Sequence, residues 1–167
     1  MKFVTMVLVG AWSCLVAGDA AAQALKASPS WDRAANIKEM ATHIGNVQRR
    51  QGADKALAFI DACYRTHSLG SVYSKAFEGC IVADYLLAQA LVAVIKRVPA
   101  DDLRKTGMAT ASDIIQAVNI RVSTAFGQYG LAASEANAFV ALTVEHGMAP
   151  FLKAVFPNAE AAASEKK

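Results

Sequence analysis

Beyond residue 30, apolar positions recur at three- and four-residue steps along almost the whole chain, which is how helices that bury one face read in sequence. The first stripe, Ile37, Met40, Ala41, Ile44 and Val47, predicts a helix over Trp31 to Arg50, with Ser28 or Ser30 as its cap and Gly52 as its end. Ala56, Leu57, Ile60, Cys63 and Tyr64 predict a second over Ala53 to Thr66, whose other face carries Asp54, Lys55, Asp61 and Arg65. The third, over Tyr73 to Val98, is the most apolar and reads as the centre of the bundle, with Phe77, Cys80, Ile81, Leu87, Leu91, Val94 and Ile95 on its inward stripe. A fourth is expected over Ala111 to Tyr129, with Ile114, Ile115, Val118, Val122, Ala125 and Phe126 inward and Gly130 closing it. Ser134 is the expected cap of a fifth, striped by Phe139, Val140, Val144, Met148, Phe151, Leu152 and Val155. Gly147 and Pro150 are expected to break or kink it, leaving "APFLKAVF" as a short separate helix.

Pro99 stops the third helix, and residues 99–107 read as one exposed helical turn, with Pro first and Asp101 and Asp102 at its positive end. The run "LVAVI" is strand-prone alone, but it lies inside a helical pattern with no turn residues to bound it. A membrane span needs about 20 apolar residues. Ile81 to Ile95 is shorter than that and contains Asp84 and Gln89, so it reads as a buried core helix. The expected fold is all-α: a single-domain helical bundle of about five helices.

The first residues read differently. Met1 and Lys2 open an apolar run from Phe3 to Val16, and "AAAQA" at Ala20 to Ala24 supplies small residues at signal-peptidase spacing. That is a secretory signal peptide over residues 1–24, cut after Ala24 or alternatively after Ala22. Cys14 raises the alternative of a lipid-anchored protein, against which "AWS" places Ala and bulky Trp12 where such signals prefer other residues. The helical domain is then 25–157, and residues 158–167 form a polar tail without a stripe, expected to fray. Loss of Lys2 and Asp19 with the leader keeps the formal charge at +3. That charge is too small and too evenly spread for a nucleic-acid footprint. The basic groups "QRRQ" and "IKRV" fall where helices end, opposite the negative pole of the dipole.

An exported chain keeps two cysteines, Cys63 and Cys80, an even pair in an oxidising compartment. Antiparallel helices bring together residues equally far from their turn, and the midpoint of this pair lies between Ser71 and Val72. The connection must be centred near "LGSV", with Gly70 free to take positive φ. Both cysteines lie on inward stripes, so a disulfide is expected to join the second and third helices. No C-x-x-C or C-x-x-C-H is present. Cys63 and His67 have metal-pair spacing, but His43 and His146 lie on other helices and complete no ligand set, so no metal or cofactor is expected.

Candidate chemistry is sparse. Asp84 falls close to the buried stripe, where a lone carboxylate costs several kcal/mol unless partnered. Its expected partner is a Tyr hydroxyl, Arg121 or Arg65, and its functional alternative is a carboxyl facing a pocket. Asp84, Tyr85, Arg121 and Tyr129 are accordingly the candidate ligand or partner site. Glu39 and His43 have the spacing of a surface ion pair, and Glu145 with His146 is expected to mark a helix end. G-x-S-x-G, H-E-x-x-H and phosphate-loop motifs are missing. The expected function is a non-catalytic interaction or envelope-stress protein, with "FGQYG" and "HGMAPF" as segments whose glycines let helices shift. A carrier of a small apolar ligand between helices is the alternative, and an uncharacterised hydrolase a weaker one.

Overall fold

The computed structural model describes residues 29–70 and 72–158, and among these every regular element is a helix. They are α1 (Arg33–Gln51), α2 (Ala53–His67), α3 (Lys75–Ile95), α4 (Ala100–Lys105), α5 (Ala111–Gly127) and α6 (Ala133–Val155). The expected signal peptide, Cys14, Ser28 and the tail from 159 onward lie outside the described residues.

Helix starts are set by side chains that take up the free N–H groups of a first turn. Asp32, rather than Ser28 or Ser30, caps α1 by accepting from the Ala35 N–H at 3.0 Å. Ser74 caps α3 through the Phe77 N–H, so the helix begins two residues after the expected Tyr73, and it ends at Ile95 rather than Val98. Thr110 and Asp113 bond each other reciprocally at the start of α5. At α6 the cap position is Ala132, not Ser134, and Glu135 reaches back to accept from the Ala132 N–H. Positive φ occurs at Gly52, Gly107 and Gly130 and not at Gly70.

The long helices run alternately along the bundle. Cys63 bonded to Cys80 sets α2 antiparallel to α3, and Asp84 with Arg121, together with Tyr73 and Phe77 against Tyr129, sets α5 antiparallel to α3. Next to α6, α1 runs in the same direction: Arg33 lies over the Phe139 ring, Ile37 against Gly147, and Arg49 Nε donates to the Ala154 carbonyl at 3.0 Å. This is the most extensive helix pairing among the described residues. The core is centred on α3, where Cys80 to Ala88 are all buried.

The expected break at Gly147 and Pro150 does not occur, because α6 is continuous through both. A Cβ on Gly147 would stand 3.0 Å from both Ile37 and Leu86, and one on Gly45 would stand 2.8 Å from Ala154 Cβ and the Phe151 carbonyl. Both glycines let helices approach closely; Gly147 is no hinge. Phe151, directly after Pro150, is buried, and packing against α1 keeps the helix continuous past a proline that lacks one hydrogen bond.

Candidate functional site

The structure brings Tyr64 and Arg121 together around Asp84. Arg121 grips the carboxylate with two parallel bonds, Nε to Oδ2 at 2.8 Å and Nη2 to Oδ1 at 2.7 Å, and the Tyr64 hydroxyl donates to Oδ2 at 3.2 Å. Asp84 is buried while the Arg121 side chain is half-exposed. Burial and the adjacent Asp84 charge push the Tyr64 hydroxyl well above its ordinary value of 10.0, and the bond to Asp84 raises Arg121. A bidentate guanidinium and a phenol leave the carboxylate little capacity to act on anything else. This cluster ties α2, α3 and α5.

The other two candidates are not part of it. Tyr129 is buried against Tyr73 and Phe77, with its hydroxyl donating to the Gly70 carbonyl at 3.3 Å. Tyr85 is hydrogen-bonded to Gln89, and burial raises its hydroxyl. Glu39 bonds Lys75 Nζ at 3.1 Å instead of His43, whose ring packs 4.9 Å from Phe59. Glu145 and His146 approach at 3.8 Å in mid-helix rather than at a helix end. Among the described residues no three His, Cys, Asp or Glu side chains come together as a metal-binding group.

One buried carboxylate escaped the periodicity. Glu78 in the first turn of α3 has a fully buried side chain. Its Oε1 accepts from Trp31 Nε1 at 2.9 Å and Asn36 Nδ2 at 3.1 Å, and its Oε2 accepts from Arg33 Nε at 2.9 Å and the Tyr73 hydroxyl at 3.3 Å. Four donors and an ion pair make it a clamp between α1 and α3. Its sequence signal was its place one residue after Phe77 and two before Cys80, flanked by buried positions.

The feature with capacity to spare lies at the other end of α3. Gln48, Ala53 and Leu57, with Leu87, Leu91 and Val94 of α3, Arg97 just past its end, Phe151 and Leu152 of α6 and Phe156 just past it, line a half-enclosed groove of about 370 Å³. Leu57, Leu91, Val94 and Leu152 were expected inward, yet they are exposed around its walls, as is Phe156. Nothing among the described residues covers this side, so the inward stripes of α2, α3 and α6 meet over an open trough. Gln48 Oε1 is buried there without a hydrogen-bond partner, the one such side-chain atom among the described residues. Arg97 is the one charged residue of the lining, and its side chain has no described partner.

No family model, curated protein or solved structure matches this chain.

Proposed function

We propose that this is an exported, non-catalytic binding protein and that the groove between α2, α3 and α6 is its binding surface. The observation that carries the reading is the groove itself: large apolar side chains left exposed on three converging helices around a buried, unpaired amide oxygen. Burying a polar atom unpaired costs about 1–3 kcal/mol, and exposed apolar walls of this kind mark sites that a partner or ligand covers. The Asp84 and Glu78 clusters, by contrast, have their bonding filled from within and serve the scaffold.

Export is supported by the leader pattern and is compatible with the Cys63–Cys80 disulfide. By length and composition α3 and α6 are both apolar enough to cross a membrane. Both belong to the bundle in this reading, α3 because most of its apolar surface is buried and it carries Glu78 and Asp84, α6 because of its packing on α1.

Binding of the neutral dye Nile red, followed by its fluorescence, tests the surface. The wild type should bind it and Val94→Lys should not, and since Val94 is 64% exposed the variant should melt as the wild type does. Residues 1–30 fused to a reporter active only outside the cytoplasm should export it, with the mature chain beginning at Leu25 or Gln23. A retained leader in the mass spectrum would refute export.

A further inference from the structure

We infer that the groove takes a single-chain acyl anion carrying a hydroxyl or amide N–H donor, such as a hydroxylated fatty acid. The inference rests on the groove being the binding surface and adds the chemical class of its occupant.

Three features fix that class. The walls, from Leu57 through Leu91, Val94, Leu152 and Phe156, offer almost wholly apolar contact, and a volume of about 370 Å³ holds about a dozen water-sized groups. That suits an alkyl chain of about that many carbons, at about 0.8 kcal/mol per methylene taken from water. Arg97 supplies a cation without a carboxylate partner among the described residues, and Lys96 precedes it at the end of α3. Asp101 and Asp102, the next acids along the chain, are already bonded to Arg104 and Lys105. An anion is therefore the charge this rim lacks, and a guanidinium binds a carboxylate by paired hydrogen bonds. Gln48 Oε1 is an acceptor buried without a donor. A ligand hydroxyl or amide N–H would meet that need, which a plain alkyl chain cannot.

Displacement of Nile red from the mature, oxidised protein tests the assignment, using dodecanoate, dodecanoates hydroxylated near the carboxylate, in mid-chain or at the chain end, and dodecyltrimethylammonium. At least one hydroxylated chain should bind about fivefold tighter than dodecanoate, the value of one hydrogen bond. Gln48→Met should abolish that preference. Arg97→Gln should weaken every carboxylate about fivefold to tenfold, and the cationic amphiphile should displace least. Equal binding of all the dodecanoates by the wild type, or equal displacement by the cation, overturns the inference. So does a concentration-dependent dimer that Val94→Lys dissolves, since a second copy would then fill the groove. If the dye binds and is lost in Val94→Lys but no acyl anion displaces it, this inference fails alone. If dye binding is absent, or indifferent to Val94→Lys, the binding surface fails with it.

Discussion

Replacing Glu78 by Gln should destabilise the fold by about 3 kcal/mol. The side chain is fully buried and accepts from Trp31 and Asn36 on one oxygen and from Arg33 and Tyr73 on the other. Glutamine keeps one acceptor and sets its NH₂ group against two donors, while Arg33 loses its counter-charge. Breaking a buried ion pair from one side costs about 3–5 kcal/mol. Arg33 retains 33% of its side-chain exposure, so water takes up part of the orphaned charge and the low end of that range applies. At about 2–4 °C per kcal/mol for a chain of this size, the melting temperature should fall about 10 °C. Urea unfolding followed by circular dichroism gives the free energy. Fluorescence of Trp31, the one tryptophan left once a leader containing Trp12 is removed, reports on the clamp itself. Glu78→Gln combined with Arg33→Gln should recover part of the loss, because the stranded charge is gone. A loss under about 1 kcal/mol with unchanged Trp31 emission would refute the reasoning, for it would mean the carboxylate is hydrated in solution.

Ala at both Cys63 and Cys80, which lie 17 residues apart in sequence, should lower stability by about 3 kcal/mol on the chain-entropy account. Urea midpoints that match the wild type would show that the staple contributes nothing. Gly45→Ala should destabilise despite a helix-propensity gain of about 1 kcal/mol, because the new Cβ meets Ala154 and the Phe151 carbonyl at 2.8 Å. Gly127→Ala meets nothing within 4 Å and should stabilise slightly, so thermal melts should move in opposite directions. Tyr64 and Tyr73 are raised in the fold above the ordinary 10.0, by burial first and then by the charges of Asp84 and Glu78. A raised acid contributes stability below its unfolded value that is lost as pH climbs past it. Unfolding should therefore become progressively easier above about pH 10, and absorbance titration should show both hydroxyls ionising only as the helices melt.

Much of the scaffold was legible because helical stripes and caps are local. The order of helices and the pairing of Cys63 with Cys80 could be read from spacing, and the cost of burying charge gave Asp84 a partner among a Tyr hydroxyl, Arg121 or Arg65, of which Tyr64 and Arg121 supply it. What escaped depends on partners distant in sequence. Glu78 looks like an ordinary acid in a first turn until Trp31, Arg33, Asn36 and Tyr73 arrive around it. Leu57, Leu91, Val94 and Leu152 satisfy the inward period, yet periodicity cannot say whether a neighbour exists to cover them. Gly147 carries the same letter as a hinge but serves a close crossing, a distinction only Ile37 and Leu86 reveal. The groove was invisible for the same reason: it is a place where expected contacts are missing.

The heavy pairing of α1 with α6 joins the two described helices that lie farthest apart in the sequence. On a growing chain, Ile37, Ala41 and Ile44 wait without their cover until Gly147 and Phe151 have been synthesised, more than a hundred residues later. A chain truncated before α6 would expose to chaperones and proteases the face of α1 that α6 hides.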